Sequence, residues 1–115
     1  MKTLIKKILS ASPGIRYAAI YADGKLTSSV HPGLGNPSSS ESDKYEELIV
    51  NPTLLKLVMQ RGNIDCGGAE YVIVRYGSFY EFVRPFRDGH LSVGIEPDAD
   101  LPMSISAIQD LIHAI

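Results

Sequence analysis

The stretch from Ala69 to Pro97 constrains the fold of this chain more than any other part of it. Three runs rich in β-branched and aromatic residues follow one another there, separated by the dipeptides Gly77-Ser78 and Asp88-Gly89. Such dipeptides tolerate the positive φ angles of tight hairpin turns. The stretch therefore predicts an antiparallel meander of three strands.

Length and charge indicate one ordinary globular domain. The 115 residues, 44% of them hydrophobic, are enough for one core, so we expect a single domain over residues 1–115. A net charge of -2 provides no basic field for nucleic acid. No run approaches the roughly 20 apolar residues that span a bilayer. Because Cys66 is the single cysteine, no internal disulfide can form, and we expect a cytoplasmic protein.

The segment before the meander predicts one helix and two strands. Apolar residues recur at helical spacing near the N-terminus, and Pro13-Gly14 should end this helix near Ser12. A strand from Ile15 to Ala22 and a strand from Lys25 to Val30 flank Asp23-Gly24, a hairpin signal. The second strand is more polar and is expected at a sheet edge.

A second helix is predicted from Asp43 to Arg61, after a serine-rich loop over 31–42. Its first turns should bury an apolar stripe that begins with Tyr45, Leu48 and Ile49. Pro52 removes a backbone hydrogen bond and clashes with the preceding turn. We therefore expect a kink or a restart there, with Asn51 as N-cap, and a helix end at Gly62.

The second half of this helix is unusually apolar. Leucine, valine and methionine cover more than half of its circumference, at Leu54, Leu55, Leu57, Val58 and Met59. A surface helix packed on one sheet needs a narrower stripe. Either the helix is deeply buried in one chain, or it contacts both its own sheet and a second chain. We favour the second chain.

The C-terminal part completes an α+β domain. The strand Leu91 to Glu96 alternates apolar and small residues, and Asp100 can cap a last helix opened by Pro102. The predicted element order is α-β-β-α-β-β-β-α. This order is typical of a five-stranded antiparallel sheet with helices on both faces.

No group of residues predicts catalysis, a cofactor or a metal. The histidines are expected apart from one another, on a loop, in a turn and on the polar face of the last helix, at His31, His90 and His113. Cys66 is expected to be a small packed thiol, because no base lies beside it. The acidic residues between 96 and 100 are explained by helix capping better than by a divalent cation. We expect a protein that is not an enzyme.

Several motifs resemble, in their order and spacing, those of the Roadblock family. The family includes domains of dynein light chains, scaffold subunits that hold Ras-like GTPases, and bacterial GTPase-regulating partners. The matching segments are Pro13-Gly14-Ile15, Asp23-Gly24, Phe82-Val83-Arg84-Pro85 and Pro97-Asp98-Ala99-Asp100-Leu101. The likeness covers nearly the whole chain, and it implies a profilin-like fold.

The resemblance also implies a dimer. In such a dimer the third strands, here Glu70 to Tyr76, pair edge to edge, and the second helices, here Thr53 to Arg61, pack together. An apolar edge strand left unpaired is an aggregation hazard, which also favours a partner. The expected interface residues, for a second copy or another partner, are Leu54, Leu55, Leu57, Val58, Arg61, Tyr71, Ile73 and Arg75.

The leading hypothesis is a dimeric, non-enzymatic scaffold or regulatory subunit that binds a Ras-like small GTPase. A homodimer is favoured, and a heterodimer is also compatible with the same elements. The alternative is a small-ligand sensor with a pocket between sheet and helix, lined by aromatic residues such as Tyr17, Tyr80 and Phe82. An enzyme that uses His90 or Cys66 is the least favoured reading.

Overall fold

A computed structural model describes residues 1–33 and 40–115 of the chain. The first half contains α1 (Lys2–Leu9), β1 (Ile15–Ala22), β2 (Lys25–Val30) and one continuous helical stretch, here called the long helix, that runs through α2 (Ser40–Tyr45), a π-helical segment (Glu46–Val50) and α3 (Asn51–Asp65). The second half contains β3 (Val72–Arg75), β4 (Tyr80–Phe86), β5 (Gly89–Ile95) and α4 (Leu101–His113). The predicted order of elements is confirmed.

The five strands form one antiparallel sheet in the order β2-β1-β5-β4-β3. Strands β1 and β5 are central, and β2 and β3 are the two edges, as expected for the polar strand β2. The third strand is shorter than the predicted range from Glu70 to Tyr76. Of the predicted loop over 31–42, residues 34–39 lie outside the described residues, and Ser40 to Ser42 already belong to the long helix.

Two of the three predicted turns differ in detail from the sequence expectation. The turn between β1 and β2 has positive φ at Asp23 (55°) and Gly24 (73°), as predicted. Between β4 and β5 the positive φ falls on Arg87 (53°), and Gly89 instead begins β5. A Cβ at Gly89 would lie 1.8 Å from the carbonyl oxygen of Tyr21, so this glycine permits close strand approach. Gly77 does not use positive φ.

One face of the sheet carries the apolar core. Helices α1 and α4 cover this face, and their buried residues include Ile5, Ile8 and Ile108. The sheet contributes alternate residues of its central strands, among them Leu91, Val93 and Ile95. The side chain of Asp100 accepts a hydrogen bond from the backbone N–H of Met103, which confirms the predicted cap of α4.

The long helix covers the opposite face and is not broken at Pro52. The residues before the proline form a π-helical segment, and the backbone N–H of Asn51 bonds to the carbonyl of Glu46, five residues earlier. The wider turn takes up the missing donor of Pro52 without a restart. Asn51 is not an N-cap, because its buried side chain points to Glu47.

The long helix also continues beyond Gly62, to Asp65. Gly62 is buried inside the helix because the chain leading to β3 crosses it. A Cβ at Gly62 would lie 2.9 Å from the carbonyl carbon of Gly68. Gly62 was predicted to end the helix. It is instead the position where the helix packs closely against the chain that leads into the edge strand β3.

Candidate functional site

A buried carboxylate organises the contact between the long helix and the sheet. Glu47 is 0% exposed and accepts hydrogen bonds from three strand side chains and one helix side chain. One carboxylate oxygen lies 2.8 Å from Nε2 of His90 and 3.1 Å from the amide nitrogen of Asn51. The other accepts from Oγ of Ser92 (2.6 Å) and the phenol of Tyr17 (2.9 Å). The bonds from the strands hold the helix in register with the sheet.

The helix therefore buries a polar stripe where the sequence predicted an apolar one. The residues at four-residue spacing face the sheet, namely Glu47, Asn51 and Leu55. The predicted stripe faces solvent instead, since Tyr45 is 64% exposed and Ile49 52% exposed. The small and polar residues of the covered sheet face, such as Ser92 and His90, explain the reversal because they need a polar partner.

Further carboxyl groups crowd around this network. Glu81 is buried on β4, and Glu46 accepts a hydrogen bond from the phenol of Tyr76 (2.6 Å). Burial, and then the neighbouring charge of Glu47, raises the pKa of Glu81 well above the glutamate range. Burial likewise raises the pKa of Glu46 and of Asp43. Burial and the Glu47 carboxylate raise the pKa of the Tyr17 phenol. The region retains protons that exposed groups would lose.

A cleft of about 350 Å³ opens beside these groups. It lies between the start of the long helix, strand β1 and the turn from β3 to β4. Its lining residues are Arg16, Tyr17, Val30, Ser42, Asp43, Glu46, Tyr76, Gly77, Ser78, Phe79 and Glu81. Of the aromatic residues proposed for a ligand pocket, Tyr17 lines this cleft. Phe82 and Tyr80 do not, because they belong to the apolar core face.

The outer side of the long helix exposes large apolar side chains. Leu57 is 61% exposed, Val58 36% and Ile64 76%, so deep burial within one chain is wrong for this helix. Beside them a groove of about 450 Å³ runs to Tyr71, which leads into β3. We call this surface the outer apolar surface; it consists of Tyr45, Leu48, Ile49, Leu57, Val58, Ile64 and Tyr71.

The eight expected interface residues divide into two groups. Leu57, Val58, Arg61, Tyr71 and Arg75 are exposed. Leu54 and Ile73 are half-buried, Leu55 is buried, and Ile73 packs against the apolar core. The guanidinium of Arg61 pairs with Asp65 at 2.6 Å, and that of Arg75 stacks over the ring of Tyr80.

Two expectations about single residues are wrong. Cys66 is exposed and not packed, because it lies just past the end of α3, where its thiol contacts Arg61 and Asp65. His90 is in strand β5 and not in a turn, because the turn is one residue earlier than predicted. No sequence motif marked Glu47, His90, Ser92 or Glu81 as a group. The four-residue spacing of Glu47, Asn51 and Leu55 was the sequence signal that could have placed Glu47 on the buried side of the helix.

Metal-binding clusters and membrane-spanning helices are both absent from the described part of the chain. Within residues 1–33 and 40–115, no three histidine, cysteine, aspartate or glutamate side chains are placed to hold a metal ion. In the same residues no helix combines the length and apolar character that a bilayer crossing requires.

Comparison with known proteins identifies the architecture. No family model and no curated protein matches the sequence. Solved structures do match. A Roadblock/LC7 domain from Streptomyces avermitilis is 23% identical, with a TM-score of 0.74 over 99% of this chain and 92% of that one.

Two further solved structures are similar at lower identity. An MglB described as having a tetrameric arrangement is 11% identical, with a TM-score of 0.72 over 98% of this chain and 82% of that one. The gliding protein MglB from Thermus thermophilus is 10% identical, with a TM-score of 0.65 over 99% of this chain and 89% of that one. The sheet order, the helices on both faces and these likenesses lead to one conclusion: the chain has the Roadblock/LC7 fold.

Proposed function

We propose that this protein is a dimeric, non-enzymatic scaffold or regulatory subunit that binds and regulates a Ras-like small GTPase. The observation that carries the proposal is the outer apolar surface. Large apolar side chains such as those of Leu57 and Ile64 are more than half exposed. These two residues lie two helical turns apart on the same side of α3. Contiguous exposed apolar surface on a small domain marks an interaction site.

The outer edge of β3 adjoins this surface. Among the strands of the described residues, β3 pairs with β4 alone, and its other edge offers backbone groups to a further strand. The contact between Gly62 and Gly68 holds α3 beside the chain that enters this edge. A twofold axis beside β3 would therefore bring two edges and two α3 helices together in one isologous interface.

The GTPase part of the proposal rests on the sequence resemblance and the fold. Members of the resembled family serve as scaffolds and regulators of small GTPases, and the solved neighbours share the architecture over almost the whole chain. One of those neighbours is described as having a tetrameric arrangement, which is consistent with assembly through surfaces of this fold.

The dimer is tested by light scattering on purified protein. A charge at the outer apolar surface, in Leu57→Glu or Val58→Glu, should convert a dimer to a monomer with unchanged circular dichroism. Met103→Glu is the matched control, because it adds the same charge at an exposed apolar side chain of α4, on the opposite face of the sheet. Equal masses for Leu57→Glu, Met103→Glu and the wild type would contradict the interface.

GTPase regulation is tested with a purified Ras-like small GTPase from the source organism. We expect binding that differs between the GTP-bound and GDP-bound forms, and a changed rate of GTP hydrolysis or nucleotide exchange. Leu57→Glu should abolish the effect and Met103→Glu should preserve it. If neither nucleotide form binds while dimerisation is intact, the dimer stands and GTPase regulation is rejected.

A second candidate function, that of a small-ligand sensor, is supported by the cleft beside Glu81. It lies between sheet and helix and is large enough for a small molecule, as a ligand sensor requires. Thermal stabilisation by members of a metabolite library would support this function. Ligand binding in the cleft does not compete with dimerisation at α3.

A further inference from the structure

We infer that the cleft beside Glu81 binds an organic cation, that is, a guanidinium or ammonium group carried on an apolar body. The inference goes beyond the scaffold function. It deepens the second candidate function, on which it rests, by assigning the chemical class of the ligand. The ligand chemistry follows from the charges, the aromatic wall and one unpartnered atom of the cleft.

The unpartnered atom is a carboxylate oxygen of Glu81. The side chain of Glu81 is 2% exposed, and Oε1 has no hydrogen-bond partner among residues 1–33 and 40–115. A buried carboxyl oxygen without a partner costs free energy. Glu81 lies in the lining of the cleft, so a donor that entered the cleft could satisfy this oxygen.

The charges around this oxygen favour a cation. Among the described lining residues, Asp43, Glu46 and Glu81 contribute three carboxyl groups, against the one guanidinium of Arg16. Arg16 is already engaged within the lining, where its guanidinium pairs with Glu96 at 3.2 Å and stacks over the ring of Phe79 at 5.1 Å, so it is partly neutralised. An anionic ligand would meet three acidic groups, whereas a cation would relieve their repulsion.

The walls favour an organic cation over a metal ion. Tyr17, Tyr76 and Phe79 line the cleft, and the rings of Tyr76 and Phe79 lie 5.3 Å apart. Aromatic faces attract guanidinium and ammonium groups and also cover apolar carbon. The carboxyl groups of the described lining are not among any three side chains placed to hold a metal ion. The volume of about 350 Å³ suits a molecule of amino-acid size.

The groups that face Glu81 come from each neighbouring element. The long helix contributes Asp43, Glu46 and Glu47, β1 contributes Tyr17, and the turn after β3 contributes Tyr76. The Tyr76 phenol donates to Glu46, so Glu46 is held in place next to the Glu81 carboxyl. A bound cation would compete with the proton that burial favours on the Glu81 carboxyl, whose pKa is raised, so binding should release a proton to the buffer.

The experiment compares a cation with its neutral analogue by calorimetry. Butylguanidinium should bind the wild-type protein with a dissociation constant in the micromolar to low millimolar range, at least about tenfold tighter than butylurea. Titrations in two buffers of different ionisation enthalpy should show proton release. Amide shifts in NMR spectra should localise the ligand to the turn at Gly77 and Ser78.

Variants assign the binding to the cleft. Glu81→Gln keeps the shape of the side chain and should weaken butylguanidinium binding at least about tenfold. Glu46→Gln should act in the same direction, which keeps the test valid if the first variant does not fold. Glu41→Gln, at an exposed position of the same helix, is the matched control and should bind like the wild type.

Further arms identify the source of the cation. Tighter binding of the peptide acetyl-Gly-Arg-Gly-amide than of butylguanidinium would assign the group to the arginine of a protein, and the reverse order to a free small molecule. No binding of either, or equal binding by Glu81→Gln and wild type, would overturn the inference. Binding of butylurea or butyrate as tight as that of butylguanidinium would reject the cation and retain a ligand sensor. Calcium bound through Glu81 would also overturn it.

Discussion

Nε2 of His90 lies 2.8 Å from Oε1 of Glu47, and the two side chains are only 2% and 0% exposed. This contact joins β5 to the long helix. Together with the contacts of Asn51 and Ser92, it fixes the position of the helix on the sheet. The outward direction of Leu57 and its neighbours follows from it, because a helix that buries Glu47 and Leu55 must present its other side to solvent.

Removal of the Glu47 carboxylate should cost much of the stability of the domain. Glu47→Ala leaves buried donors of His90 and Ser92 without an acceptor, and we expect the free energy of unfolding to fall by about 3–5 kcal/mol. Urea denaturation of this variant and of Glu41→Ala, which should stay within about 0.5 kcal/mol of wild type, checks the value. A loss below about 1 kcal/mol for Glu47→Ala would show that the network is not needed for the fold.

The buried Glu81 should make stability depend on pH. Its pKa is raised in the folded state, so the folded chain holds a proton that the unfolded chain releases above about pH 4.3. The stabilising contribution is complete below that pH and is lost as the pH rises toward the folded pKa. Relative to wild type, Glu81→Gln should therefore gain stability with rising pH, by up to about 1.4 kcal/mol per pH unit.

Urea denaturation of both proteins at several pH values gives this difference directly. Glu41→Gln, which changes an exposed carboxylate of the long helix, should show a difference that is flat with pH. A flat difference for Glu81→Gln as well would contradict the assignment of a raised pKa to this carboxyl.

Close approach of strand β5 to β1 should make Gly89 intolerant of any side chain. A Cβ there would overlap the carbonyl oxygen of Tyr21, and we expect Gly89→Ala to lower the free energy of unfolding by about 1–3 kcal/mol or more. Gly77→Ala is the matched control, since it has open space around it and an ordinary φ, and it should be neutral or gain up to about 1 kcal/mol. The melting temperatures of both variants, measured by thermal denaturation, test this prediction. Equal melting temperatures for Gly89→Ala and Gly77→Ala would contradict it.

The fold was largely predictable because its signals are local. Asp23-Gly24 marks a hairpin and Asp100 caps a helix whatever surrounds them, and the structure confirms both. Helix α1 and the alternation of β5 follow from the spacing of apolar residues alone. These elements depend on contacts within a few residues, which the sequence displays directly.

The candidate sites were less predictable because they depend on contacts between distant residues. Glu47 looks like a surface residue until Tyr17, Ser92 and His90 are brought to it by the sheet. The apolar neighbours of Glu47 along the chain suggested the opposite side of the helix as the buried one. Likewise, the π-helical segment that accommodates Pro52 leaves no local sequence signature.

The mass of the purified protein in solution tests the proposed function most directly. Size-exclusion chromatography with light scattering, at micromolar concentration, should give twice the chain mass of 12.5 kDa for the wild type and for Met103→Glu. Leu57→Glu should give the single-chain mass, because a charge cannot be buried where two outer apolar surfaces meet. A wild-type protein that remains at 12.5 kDa across the concentration range would contradict a function performed by two copies.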